Sequence, residues 1–529
     1  MYCINNALQY VERSIIKYLR RRKSNLSISK EKWESVVGLE IHAQIASNSK
    51  LFSGAGTDFA RPVNSNVSLF DAAIPGTLPV LNDRCVEAGV LTALALSCRV
   101  NAVSMFDRKH YFYADLPTGY QITQQRSPLA NAGHLKFQVY TPGVHKAPYT
   151  KVANIKQLQL EQDSGKSLHD AEASRSLVDL NRAGIPLMEL VFEPDLVDGE
   201  EAAALVKELV MILQRLGTCS CRMEEGALRV DANVSVNRPG EPLGIRSEVK
   251  NIGSIRGVAS AVKYEIQRQI TELEAGGRIL NETRAWDAQQ KVTIAMRDKE
   301  VVQDYRYMPE PNLPPLHLNM GLGTTGVTNK FVNVEQLKAN IPELPEETRE
   351  NLCTNYHVTP EQAIILVNED VLLQYFKDIS KNPNRETKLI VNILINELLT
   401  LVNKYKIYLE NVNIPSGHLG ELVDLIQLKT VNLVTARKIL EEIINGDSRS
   451  PSEITEKNNW GQIKGTAQIT KLCEDVITEN PKLVKQYLCG KTKVFSALLG
   501  KAAVKSEQRA NMAEVTRILK ELLSQKSNK

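Results

Sequence analysis

The absences in this sequence narrow it first. No run of about 18 apolar residues occurs, which excludes a transmembrane helix. The eight cysteines (Cys3, Cys85, Cys98, Cys219, Cys221, Cys353, Cys473 and Cys489) include no CxxC pair. That argues against a zinc ribbon or a thioredoxin-type site and reads as reduced thiols in an intracellular compartment. No GxxxxGK[ST] element is present: Gly165-Lys166-Ser167 has Leu160 in the place of the first glycine, and Gly490-Lys491-Thr492 has Lys485 there. A P-loop is thereby excluded. GxSxG, HExxH and the protein-kinase signature set are missing too. With 43% hydrophobic residues and a net charge of only +4, the chain is not a disordered one. Its 529 residues predict three or four domains with ample core.

The small net charge hides an uneven distribution. Residues 1–32 carry eight Lys/Arg and two Glu, and residues 456–529 carry fourteen basic against seven acidic side chains. The intervening body is therefore acidic. In the leader, Leu8, Val11, Ile15, Ile16 and Leu19 fall near helical spacing with Arg13, Lys17 and Arg20 interleaved. An Arg-rich, acid-poor amphipathic start is the mitochondrial presequence pattern. A basic arm, or a nuclear signal on Arg20–Lys23, is the alternative. The basic tail has a polyanion as its natural partner, against the plainer reading of a solvated helical face.

Between these ends the pattern predicts an α+β body, residues 33–320, with a mixed or antiparallel sheet and helices. An all-helical middle, 325–455, and a C-terminal helical domain, 460–529, follow. Strands are expected at Val36–Ala46, Arg229–Val236 and Ile245–Asn251, the last two forming a hairpin. Helices are expected at Val197–Leu216, stopped by Gly217, and after a Ser254 N-cap as far as Gly276-Gly277. Met308–Pro315, with four prolines, can be neither helix nor central strand. Pro360–Tyr375, Arg385–Val402 and Leu419–Ile444 read as helices. Gly446–Gly465 reads as a linker, and the tail as short helices broken at Pro481, Gly490 and Gly500.

The chemistry signal is polar residues alternating with apolar ones. Glu40 and His42 are two apart on a strand and share a face, with Leu39, Ile41 and Ala43 on the other. Glu161 and Asp163 share a face in the same way. Arg229, Asp231, Asn233 and Ser235 alternate with Val230, Ala232, Val234 and Val236; the next strand offers Arg246, Glu248 and Lys250. Glu189, Glu193, Asp195, Glu224 and Glu225 add acids nearby. One such strand is explained by a solvated face, but several together favour a polar cavity. Concentrated carboxylates need compensating cations, and Mg²⁺ takes oxygen ligands together with substrate phosphates. The cavity therefore fits Mg²⁺-nucleotide chemistry. The aromatic and charged stretch Phe106–Gln121 suits either a ligand-contacting loop or a core edge turning at Pro117–Gly119.

Several long stretches together closely resemble one family. They are Val37–His42, Phe106–Gln121, Asp179–Glu189, Met223–Asn233, Glu248–Asn251 and Asp304–Pro311. The family is the B subunits (GatB) of the tRNA-dependent glutamyl/aspartyl amidotransferases. The likeness runs from Trp33 onward, and the tail, with Gly490–Phe495 and Leu498–Lys501, resembles the family's tRNA-contacting helical domain. The resemblance implies ATP-dependent phosphorylation of the glutamyl γ-carboxylate of Glu-tRNA(Gln), followed by amidation with ammonia. It further implies ATP and Mg²⁺ as cofactors, and the amidotransferase A and C subunits as partners in a heterotrimer. The A subunit would make ammonia from glutamine with a Ser/Lys amidase site, a motif this chain lacks. With the basic leader, the implied place is the mitochondrial matrix, without a membrane role.

Carried onto this sequence, the resemblance implies a catalytic group of Glu40, His42, Asp231, Glu248 and Lys250. Metal ligands would come from Glu40, His42, Glu161, Glu189 and Glu224. Arg229, Lys109, Tyr111 and Tyr113 would bind the nucleotide, with Tyr120 around the substrate. Many bacterial relatives have two adjacent Glu where this chain has Glu161-Gln162, and His110 and Thr118 also depart from them. Two other readings remain open from sequence: a non-catalytic tRNA-binding or assembly protein, and a metal-dependent phosphotransferase on a small carboxylate.

Overall fold

The alternating residues Glu34–Gln44 form a long strand, β1, with Val37, Leu39, Ile41 and Ala43 buried on one side. Around it a nine-stranded sheet assembles from β2 (Arg99–Val100), then β5 (Ala130–Val139), β6 (Tyr149–Gln162) and β7 (Pro186–Phe192). It is completed by β8 (Leu228–Asn237), β9 (Ser247–Lys250), β10 (Thr283–Asp287) and β11 (Val292–Ala295). Between β2 and β5, strands β3 (Asp107–His110) and β4 (Tyr120–Thr123) pair with each other outside it. The order across the large sheet is β11-β10-β9-β8-β1-β7-β6-β5-β2. All its pairs are antiparallel except β9 with β10.

This is a computed structural model, describing residues 33–296, 305–321, 332–463 and 465–527. The predicted leader, 1–32, lies outside them. The chain divides between Glu347 and Thr348 into two units.

Three helices cover one face of the sheet: α1 (Asp83–Ala95), α2 (Gly199–Leu216) and α3 (Ile255–Glu274). Asp198 caps α2 by accepting from the Glu201 N–H, and Gly217 ends it in the left-handed region at φ 64°. Ser254 caps α3 by accepting from the Gly257 N–H. Helix α2 meets α3 so closely that a Cβ on Gly199 would lie 2.2 Å from the Ala259 carbonyl oxygen. The shared core includes Leu39, Ile41, Leu190, Val230, Leu209 and Val262. Each such side chain contributes about 1.5–3 kcal/mol by leaving water. Since a one-residue slip would send every core residue to the opposite face, the apolar pattern locks the register.

Strands β3 and β4 form a small sheet with a two-residue edge strand, β12 (Met308–Pro309). Phe106–Gln121 is thus a hairpin rather than a free loop. The Pro-rich stretch does sit at an edge, where a missing N–H is tolerated.

The second unit is helical. The segment read as one helix from Pro360 is two, Pro360–Val367 and Asp370–Ile379. Leu419–Ile444 is also two, Ser416–Gln427 and Leu433–Ile444, parted where Lys429 turns to φ 54°. The expected Arg385–Val402 helix runs Thr387–Tyr405 and contains a π segment, Asn392–Leu398. The expected linker holds a helix, Pro451–Lys457, started by a capping box of Ser450 and Glu453. Gly500 does not break the tail: Phe495–Lys505 runs through it, and a Cβ there would meet nothing within 4 Å. The tail has its own core of Ile469, Cys473, Val476, Leu498, Val515 and Leu519. Among the described residues no helix is long and apolar enough to cross a membrane. None of the seven described cysteines forms a disulfide, and five of them, including Cys219 and Cys221, are buried.

Candidate functional site

The sheet face opposite the helices is polar. Register places His42 beside Glu189 on one side and Arg229 on the other, and Glu40 beside Asp231. Glu189 in turn faces Gln159, and Glu161 faces Leu187. The alternation that buries Leu39 and Ile41 is therefore what raises Glu40 and His42 onto this face. The result is a cavity of about 1050 Å³.

Ten of the expected residues line it: Glu40, His42, Lys109, Tyr111, Glu161, Glu189, Arg229, Asp231, Glu248 and Lys250. His42 Nε2 lies 3.8 Å from Glu40 Oε1 and 3.9 Å from Glu161 Oε1. Lys109 Nζ is 3.7 Å from Glu161 Oε2. Arg229 Nη2 meets Asp163 at 3.0 Å, and Lys250 Nζ meets Asp231 at 2.6 Å and Glu248 at 3.2 Å. Thr283 donates to the other Glu248 oxygen at 2.8 Å.

Three expected residues are not brought to the cavity wall. Glu224 lies in a short 3-10 turn, Met223–Glu225, whose Met223 faces the cavity while Glu224 is exposed. Tyr113 is 60% exposed and meets the Tyr111 ring edge to face, their centroids 5.6 Å apart. Tyr120 packs under Arg108, 4.2 Å from ring centroid to guanidinium, rather than on the wall.

Other wall residues carried no assigned role. Beyond the end of β3, His110 N donates to the Tyr305 carbonyl at 2.9 Å, one residue out of the β3–β12 register, with Arg306 at φ 45° between. Lys109, Tyr111, Tyr305 and Tyr307 all line the cavity. Lys109 Nζ lies 5.2 Å from the Tyr305 ring centroid, a cation–π contact. The spacing of Tyr305 and Tyr307, two apart, was the available sequence signal.

The charges act strongly on one another. Burial, and then Glu161, raise the Glu189 carboxyl well above its ordinary range. Burial raises Asp231 as well, with Lys250 opposing. His42 is lowered well below the usual imidazole value by burial and by Arg229, Lys109 and Lys250, so the ring is neutral at pH 7. Burial works against the Lys109 ammonium, but Glu161 and Glu189 outweigh it and hold the pKa up. Burial pushes the Tyr307 phenol up to about 12, keeping it a donor.

One group fits a divalent cation. Ligand atoms of Glu40, His42 and Glu189 lie within 4.8 Å of one another. Glu161 borders them, and its buried Oε2 has no hydrogen-bond partner. Carboxylates crowded this closely are short of positive charge. Three carboxylates and one neutral imidazole form a mainly hard donor set, suited to Mg²⁺ or Mn²⁺.

Comparison with known proteins finds matching families over both units. Residues 35–322 match the GatB/GatE catalytic domain, and residues 374–523 match the GatB domain. The chain is 59% identical to the B subunit of the mitochondrial glutamyl-tRNA(Gln) amidotransferase of Aedes aegypti, over 93% of each chain. The human protein of that name is 47% identical, over 93% of this chain and 89% of its own. The B subunit of the aspartyl/glutamyl-tRNA(Asn/Gln) amidotransferase of Rickettsia canadensis is 42% identical, over 93% and 98%.

Proposed function

This chain belongs to the GatB family of amidotransferase B subunits, and from that premise we propose that it converts Glu-tRNA(Gln) to Gln-tRNA(Gln) within a mitochondrial amidotransferase. The observation that carries the reading is the polar sheet face, where Glu40, His42, Glu161 and Glu189 gather beside Lys109, Arg229 and Lys250.

In the proposed reaction the glutamyl γ-carboxylate attacks the γ-phosphorus of ATP, and ADP leaves. Ammonia then attacks the acyl carbon, phosphate departs, and the nitrogen gives up its extra proton. Phosphorylation is needed because a carboxylate oxygen is too poor a leaving group. Glu40, His42, Glu161 and Glu189 would hold Mg²⁺, which when bound neutralises charge on the transferring phosphoryl group. His42 suits this role because its neutral ring offers a lone pair. Lys109, Arg229 and Lys250 bring fixed positive charge to the phosphates and to the acyl oxygen. Asp231 and Glu248 hold Lys250 in place from two sides. Tyr111, Tyr305 and Tyr307 form an uncharged wall against which the nucleoside is held.

Ammonia would come from glutamine through the A subunit, and the C subunit would complete the heterotrimer. The basic tail would grip the tRNA. The matrix location rests on the mitochondrial relatives and the basic leader.

The test is an amidation assay on the chain without residues 1–32, co-expressed with the A and C subunits. Glu-tRNA(Gln), ATP, Mg²⁺ and an ammonium salt are supplied, so glutaminase activity is not required. Gln-tRNA(Gln) should form, and His42→Ala should reduce it at least about 100-fold while leaving tRNA binding intact. Product made equally well by His42→Ala, or none from an intact complex that binds the tRNA, would overturn the reading.

A further inference from the structure

We propose that Gln159 is a positioning residue that aims the Glu189 carboxylate into the cation cluster, and that Gln157 sets Gln159 in turn. The inference rests on the reading of Glu40, His42 and Glu189 as a divalent-cation site.

Gln159 lies directly across from Glu189 in the sheet and is only 1% exposed. Its Nε2 donates to Glu189 Oε2. Its Oε1 accepts from Gln157 Nε2 at 2.8 Å, and Gln157 Nε2 also reaches Gln125 Oε1 at 3.4 Å. The order of donors runs one way. Turning over the Gln159 amide would set its oxygen against a carboxylate oxygen and its NH₂ against the Gln157 NH₂. Both contacts pair like with like, so the two side chains hold each other in one orientation.

The amide itself needs a reason. Burying a primary amide is costly unless every polar atom finds a partner, and an apolar side chain would fill the space without that cost. Here both ends of the amide are used, and one end is spent on Glu189. A donor on one oxygen pins the carboxylate against rotation and so fixes where its remaining lone pairs point. Gln125 and Gln157 line the cavity but Gln159 does not, so Gln159 acts through Glu189 and not on a substrate. Partners of this kind behind a ligating residue typically change metal affinity by about 10–100-fold.

The test uses the full chain and Mn²⁺ alone, with free Mn²⁺ read by electron paramagnetic resonance during titration. Gln159→Met should weaken Mn²⁺ binding by about 10-fold or more with tRNA affinity unchanged. Gln157→Met should weaken it in the same direction by a smaller factor. Glu189→Gln separates two failures. If Glu189→Gln loses Mn²⁺ and Gln159→Met binds it like the wild type, the positioning role is wrong and the cation site stands. If Glu189→Gln binds Mn²⁺ like the wild type, the cation-site reading falls and the positioning role with it. Should Gln159→Met not fold, the half-buried Gln157→Met carries the test, and unchanged affinity there overturns the proposal.

Discussion

Replacing Lys250 with Met removes a cation that touches both Asp231, at 2.6 Å, and Glu248, at 3.2 Å. With an effective dielectric of about 20, the gross attractions are roughly 6 and 5 kcal/mol. Most of that is offset by taking the three charges out of water. Removing one partner of a fully buried pair costs about 3–5 kcal/mol, whereas an exposed pair is worth about 1 kcal/mol or less. The Lys250 side chain is 33% exposed, against 13% for Asp231 and 23% for Glu248. Discounted for that exposure, the expected loss is about 2 kcal/mol, from carboxylates left without their cation. Neutralising Asp231 should relieve part of it, so Lys250→Met/Asp231→Asn should recover about half. Urea unfolding followed by tryptophan fluorescence suits the measurement, because buried Trp286 sits on the strand next to β9. A single variant within about 0.5 kcal/mol of wild type, or a double variant no more stable than the single, would refute the argument.

A second outcome concerns acid. Burial alone would raise the Glu265 pKa, but hydrogen bonds from Arg268, Gln269 and Thr293 bring it below the ordinary 4.5. A depressed folded-state pKa stabilises above the unfolded value, and that stability is lost as pH falls through the lower, folded one. Glu265→Gln should therefore destabilise at pH 7 and flatten the acid limb of stability in urea unfolding. Equal acid losses in variant and wild type would count against it. In the tail, replacing Lys491, Lys493 and Lys501 with Ala should weaken tRNA binding and lower the slope of log K against log salt by up to about 3. An unchanged slope would return these lysines to a solvated face.

Much of the site was legible because a strand's period is two. Glu40 with His42, and Arg229 with Asp231, stood out against buried partners in the sequence itself. Glu189 was harder to rank, since it sits in β7, where Leu187, Met188 and Leu190 are all buried and no alternation marks a polar face. Tyr305 and Tyr307 offered only their spacing of two. Their role comes from pairing with a strand some 200 residues earlier, and no local pattern encodes that register. Glu224 misled in the opposite sense: a run of acids in a turn resembles a ligand set, but a 3-10 turn sends neighbouring side chains different ways. In the helical unit the periodicity found the apolar faces but not the breaks, because the chain reverses at Lys429, an ordinary residue in a left-handed conformation. The helix at Pro451 was encoded, by Ser450-Pro451-Ser452-Glu453, within a stretch whose polarity suggested a linker.

The row of residues from Gln159 through Glu189 and His42 to Arg229 crosses four strands that the chain makes far apart in time. A ribosome has delivered β1 long before β8 exists, and pairings of such separation close slowly. A nascent chain still missing β7 lacks Glu189 and therefore has no complete cluster to offer a cation, however much of its sheet has formed. Acquisition of the ion is timed by topology: the same closure that completes the core creates the place where the ion can be held.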